Sequence, residues 1–294
     1  MPDDGAVVDL WPAFASFWRT HDHLPAPEQV AEWLSVFEQI NPEIHARYAA
    51  EMAGDGLDWA EELLERHWPW LPERLPRMAE AHDRLLTVFE PVAERTREVL
   101  GTDLHPVLVI IPVGYGGWAT TYQGQPACDL GLDTIVELGW SGEEALRGLI
   151  AHELGHVAHF AWRQEDIADW DRGPLWRIYE EGFAQVCERL VRGADVYHIG
   201  LGEPGWLEWC RDHRAMLARE FLRRIDAGDP LYGFFGSYPE CNIEGYRETG
   251  YFLGQAVVGH WLAKEELPQI AVLVEAEGIT RVRNTLEHFG AESD

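Results

Sequence analysis

Apolar side chains recur along the first hundred residues with the three-and-four spacing of amphipathic helices. Trp11, Phe14, Phe17 and Trp18 form one stripe, and Trp33, Leu34, Phe37 and Ile40 a second. A third helical segment covers Trp59 to His67 and is expected to end in extended backbone at Trp68-Pro69-Trp70-Leu71-Pro72, since proline lacks an amide donor and disfavours helix in the residue before it. A fourth, from about Pro76 to Leu100, stops at Gly101, the residue type that most readily takes a left-handed cap. The pattern then changes period. Val107-Leu108-Val109-Ile110-Ile111, bounded by Pro106 and Pro112, reads as a buried strand. Gly114, Gly116 and Gly117 mark a turn, Trp118 to Tyr122 a second strand and Ala127 to Asp133 a third, so a small antiparallel sheet is predicted.

Helical spacing returns after Ser141, which with Glu144 has the separation of a capping box and opens a helix with Leu146, Leu149, Ile150, Leu154 and Val157 on its apolar side. The acidic stretch Gln164 to Gly173 reads as a loop or short helix, and Pro174 suits the first position of the next helix. A glycine-rich connection over 193–204 leads to one amphipathic helix from about Trp206 to Ile225. An irregular aromatic run, Tyr232 to Tyr238, follows, then a helix from Thr249 to Glu265 and two more between Leu267 and Phe289. The order predicts an α+β fold: a helical region over 1–100, then a region over 101–294 in which a small antiparallel sheet stands beside the helix that begins at Ser141.

Charge narrows the classes of partner. The 51 acidic side chains against 23 basic ones give a formal charge of -28, which disfavours nucleic acid or an anionic membrane as the main partner. No apolar run reaches the length of about eighteen residues that a membrane span requires. Residues 1 to 10 lack a basic segment followed by an apolar one, so cytoplasmic residence is the expectation. Cys128, Cys187, Cys210 and Cys241 form no Cys-x-x-Cys pair and are expected to be buried thiols.

The chemistry concentrates in His152-Glu153-Leu154-Gly155-His156, which fits the His-Glu-x-x-His pattern. Positions four apart on a helix differ by roughly 40°, so both imidazoles project toward one point where a zinc ion could be held. Glu153, on the flank of that face, is placed to accept a proton from water. Catalytic zinc generally takes three protein ligands and keeps a fourth position open, so a third side chain must come from elsewhere.

Downstream, Glu180-Glu181-Gly182-Phe183-Ala184 resembles the Asn-Glu-Gly-Phe-Ala segment of gluzincin metallopeptidases of the aminopeptidase branch, and Tyr251-Phe252-Leu253-Gly254 resembles their Tyr-x-Lys-Gly segment. The chain is similar also to bacterial families of zinc-dependent proteases without an assigned substrate. The resemblance covers about residues 120 to 260 through short motifs. It implies a predominantly helical, zincin-like fold, a Zn²⁺ ion held by His152, His156 and Glu181, Glu153 as general base, Tyr251 as a donor to the oxyanion, and a peptide or protein as substrate.

Alternatives stand beside each role. Glu180 can serve as an exposed first-turn acid or replace Glu181, and His159 can be a third ligand, a residue supporting the ligands or a surface residue. The metzincin pattern would need glycine at His159 and histidine at Trp162, and neither is present. The chain has no Gly-x-Met-Glu-Asn segment, so the likeness does not extend to exopeptidase action. Phe160 stands where thermolysin-like enzymes carry a supporting aspartate, which leaves Asp166 or Asp169 for that part, with Arg247, Tyr246 and His198 as further cleft candidates. A reading from another class is a non-catalytic protein with a structural zinc site, closed by a fourth ligand, and an acidic surface that binds a basic partner.

Overall fold

The computed structural model describes residues 6–54, 56–165, 172–236 and 240–292, so Asp166 and Asp169 lie outside the described residues. The chain divides into two compact units, 1–87 with 105–137 and 88–104 with 138–294.

The first unit begins with β1 (Val7–Asp9), α1 (Trp11–His21), α2 (Ala26–Ile40), α3 (Pro42–Gly54) and the short α4 (Trp59–Glu62). The two apolar stripes meet as expected of amphipathic helices: Phe14 and Trp33 are buried, edge to face, with ring centres 4.8 Å apart. A wide turn over Leu63–His67 and a tight one over Trp68–Trp70 connect to α5 (Leu71–Leu100). The proline-rich stretch is therefore helical rather than extended. Pro69 and Pro72 each fall in a first turn, where the missing amide hydrogen has no intrahelical acceptor to lose. Gly101 closes α5 with φ +65°, in the left-handed region.

β2 (Val107–Ile111), β3 (Trp118–Tyr122), β4 (Gln125–Gly131) and α6 (Leu132–Glu137) complete the unit. The sheet is mixed, not antiparallel, with order β1-β2-β4-β3. β3 and β4 form a hairpin through Gln123 and Gly124, both at positive φ, as a two-residue turn requires. It is β4, however, that pairs with β2, in parallel, and β1 adds to the other side of β2, also in parallel. β2 is thus central and buried along its whole length, which accounts for its unbroken apolar run. β1, at three residues, is too short to show a period.

The second unit holds the remainder of α5 from Val88, then α7 (Glu143–Arg163), α8 (Pro174–Arg192), α9 (His198–Gly202), α10 (Trp206–Asp212), α11 (Arg214–Ala227), α12 (Tyr232–Phe235), α13 (Thr249–Leu262), α14 (Leu267–Ala271) and α15 (Glu275–Gly290). Pro174 is the first residue of α8 as expected, but Ser141 does not cap α7: Gly142 occupies the cap position, with no side-chain hydrogen bond. The single helix expected from Trp206 breaks at His213 into α10 and α11.

α8 packs between α7 and α13, and absent side chains set the approach. A Cβ at Gly182 would lie 2.1 Å from the Gly254 carbonyl oxygen, and one at Gly155 would lie 2.7 Å from the Cys187 Cβ. Backbone touches backbone where α8 crosses α13, so residues one turn away on each helix are brought close. Cys128, Cys187 and Cys210 are buried free thiols. Among the described residues no helix is long and apolar enough to cross a membrane.

Candidate metal centre

α7 is buried without interruption from Gly148 to Phe160, which places both motif histidines and Glu153 inside the second unit. His152 and His156 are each 3% exposed and Glu153 6%. Their four-residue spacing brings the two Nε2 atoms to 3.2 Å, the convergence that helical geometry dictates. Glu181 arrives from α8: its Oε2 lies 3.3 Å from His152 Nε2 and 3.3 Å from His156 Nε2. Burial works against a charge on Glu181, yet the facing His156 and His152 hold its carboxyl well below the usual carboxylate range. Two imidazoles and one carboxylate thus form a group able to hold a metal ion. The edges of the triangle test that fit. Ligands of a tetrahedral zinc ion at about 2.0–2.1 Å stand about 3.3 Å from one another.

No family model, curated protein or solved structure matches this chain.

Tyr251, in the first turn of α13, is brought to the triad by the Gly182–Gly254 crossing one turn away, with its ring centre 5.9 Å from that of His152. Burial, reinforced by Glu181 and opposed by Arg177, pushes its hydroxyl well above the ordinary tyrosine value, so the proton stays on the oxygen and can be donated. Glu153 lies close enough to act on Tyr251 electrostatically.

The two alternative ligands are engaged elsewhere. His159 Nε2 lies 2.9 Å from the Tyr179 hydroxyl and 3.1 Å from the Ala271 carbonyl, and its ring stacks on Phe183 at 4.2 Å. At 1% exposure it supports the α7–α8 contact and is not a surface residue. The Glu180 carboxylate accepts a 2.5 Å hydrogen bond from Trp176 Nε1, and burial, partly offset by that bond, pushes it up to about 8. Tyr246 stacks on Trp209, and the Arg247 carbonyl accepts a hydrogen bond from Trp206, so both belong to the packing around α10.

Three residues without an assigned role from the sequence join the site. The Gln185 amide contacts His152 Nδ1, with Nε2 at 3.1 Å, while Gln185 Oε1 is buried without a hydrogen-bond partner among the described residues. Amide oxygen and nitrogen are interchangeable by rotation, and in the exchanged orientation Oε1 accepts from Nδ1–H, leaving the Nε2 lone pair of His152 aimed at His156 and Glu181. Behind it, Glu188 is fully buried and accepts from the His198 amide at 2.7 Å and Nδ1 at 2.8 Å. With His152 these two form a second group of potential ligands. Both Glu188 oxygens already carry hydrogen bonds, however, and the pair serves as a wall behind the first group, with the His198 ring 5.3 Å from His152. The signal in the sequence was the i, i+4, i+7 register of Glu181, Gln185 and Glu188 on one face of α8. The third is Arg177, one turn before Glu181 on that face, with Nε 4.0 Å from Glu181 Oε1.

Proposed function

We propose that the chain is a zinc-dependent metallopeptidase of the gluzincin type, with a zincin-like arrangement in its second unit. The observation that carries this reading is the triangle of His152, His156 and Glu181, whose 3.2–3.3 Å edges suit a tetrahedral ion with one position left for water or substrate. When bound, zinc supplies Lewis acidity and renders a water deprotonatable near neutral pH. His152 and His156 offer Nε2 lone pairs, the first kept in that tautomer by Gln185. Glu153 takes the proton of the attacking water and hands a proton to the leaving amine. Tyr251 donates a hydrogen bond to the oxyanion developing on the substrate carbonyl, a contribution worth roughly 3 kcal/mol of barrier. Hydrolysis of a peptide bond in a peptide or protein substrate is the activity that this set of roles supports.

A structural zinc site is the competing reading. It requires a fourth protein ligand, and His159 and Glu180, the nearest candidates by sequence, are held by Tyr179 and Trp176 instead. The test compares wild type with Glu153→Gln for metal content and for cleavage of a peptide library. Stoichiometric zinc in both, with kcat reduced about 100-fold or more in the variant, is expected. Stoichiometric zinc in both with no cleavage of any peptide by the wild type would overturn the peptidase.

A further inference from the structure

Arg177 stands beside the triad and reaches well into solvent. Its side chain is 52% exposed, against 11% for Glu181 and 4% for each ligand histidine. The guanidinium lies over the Phe235 ring, 4.5 Å from its centre, and engages Tyr251. Phe235 is 5.9 Å from Tyr251, which is 5.9 Å from His152, so an aromatic wall runs from the metal ligands outward to an exposed cation. Tyr232, 72% exposed, stands on the same short helix as Phe235.

The simplest role for Arg177 would be to neutralise Glu181. The geometry disfavours it, because 4.0 Å exceeds hydrogen-bond distance and the other oxygen of Glu181 already faces two imidazoles. The guanidinium packs 4.5 Å from the Phe235 ring centre, and its planar fork of N–H donors is of the kind that matches a carboxylate. On a chain of formal charge -28, an exposed arginine at this position gives an anionic group a local reason to approach.

We propose that Arg177, backed by Phe235, is the subsite that receives a carboxylate of the substrate next to the bond to be cleaved. That carboxylate is either the side chain of an acidic residue or the free C-terminus of the peptide. The inference rests on the peptidase reading for its context, but it can be tested apart from it.

The experiment measures binding to the zinc-loaded Glu153→Gln chain, and kcat/KM with wild-type Glu153, for three peptides of otherwise identical sequence. One carries an internal glutamate and an amidated C-terminus, one an internal glutamine and an amidated C-terminus, and one an internal glutamine and a free C-terminal carboxylate. The chain is expected to favour one carboxylate-bearing peptide over the neutral one by about 10-fold or more. Which of the two is favoured identifies the source. Arg177→Gln abolishes that ratio, Arg177→Lys restores part of it, and zinc affinity measured against a chelator stays within about twofold in both. Absence of any preference in the parent chain, or a preference that survives Arg177→Gln, would overturn the subsite. A fall in zinc affinity of Arg177→Gln with the ratio intact would also overturn it and assign Arg177 to Glu181. If no peptide is cleaved but the binding preference depends on Arg177, the subsite stands and the peptidase reading falls.

Discussion

Both units bury carboxylates, and the company kept by Asp129 and Asp133 in the first differs in kind from that kept by Glu181 in the second. In the first unit, Asp129 on β4 is fully buried against Arg47 of α3, whose guanidinium also donates to the Thr121 carbonyl at 2.5 Å. Asp133 is equally buried, with His67 Nδ1 at 2.5 Å, the Gly114 amide donating at 3.0 Å and Arg74 at 3.8 Å. Each acid there has a resident cation: the Asp129 pair ties α3 to the sheet, and the Asp133 pairs tie α5 and the turn before it to α6. In the second unit, Glu181 faces two imidazoles, groups that are neutral lone-pair donors when deprotonated, and its nearest arginine stands at 4.0 Å. A buried acid with its own cation is a fastening; a buried acid among lone-pair donors has room for a guest cation.

The comparison breaks most sharply at Arg47. Arg47→Ala leaves Asp129 buried without its cation, and urea unfolding at pH 8 should show a loss of about 3–5 kcal/mol with no change in zinc affinity. Burial already pushes Asp129 up to about 7, with Arg47 opposing. A carboxyl whose folded-state value lies above its unfolded one is stabilised by its proton, so this contribution weakens as pH rises from about 4 toward 7. Without Arg47 the folded-state value climbs further. The variant should therefore be nearer to wild type at pH 5 than at pH 8 by roughly 1.4 kcal/mol, the worth of the one unit between about 7 and pH 8, and an equal loss at both would show that Asp129 is not the group left stranded.

Glu181→Ala probes the other side. A chelator competition should show zinc affinity falling more than about 100-fold, roughly 3 kcal/mol or more, while urea stability of the metal-free chain changes by less than about 1 kcal/mol. Full retention of affinity would remove Glu181 from the ligand set. A large loss of metal-free stability would make it a fastening of the Asp129 kind.

The contrast was partly visible in the amino-acid order. The meeting of His152 and His156 follows from a four-residue spacing on one helix, which is local geometry. That Glu181 joins them follows from no local period; only the resemblance of Glu181-Gly182-Phe183-Ala184 pointed there, and the glycine in it turns out to be where α8 touches α13. His198 had no register to read, since it follows the loop after Gly193, and Arg177 shares the face of Glu181 but acts by reaching across to α12, which leaves no local trace. Strand β2 announced itself as an apolar run, but the mixed sheet did not, because pairing between distant strands leaves no periodic trace and β1 is three residues long. Pro69 and Pro72 misled because the effect of a proline depends on where a helix begins, which residue type alone does not say.

Gln185 gives the smallest effect and the finest discrimination between the two kinds of buried polar group. Its amide touches His152 Nδ1 and no charged partner accompanies that contact, so removing it strands no ion and should cost little stability. What it controls is which imidazole nitrogen of His152 carries the proton. Gln185→Leu keeps the volume and removes the acceptor, and zinc affinity should fall about 10-fold, within the range for residues that orient a metal-binding histidine. Gln185→Glu restores an acceptor at the same reach and should recover affinity, whereas a merely space-filling role would be met better by leucine. If Gln185→Leu binds zinc as tightly as wild type and Gln185→Glu binds it less well, the amide is packing, and the orientation of His152 rests on Glu188 and His198 behind it.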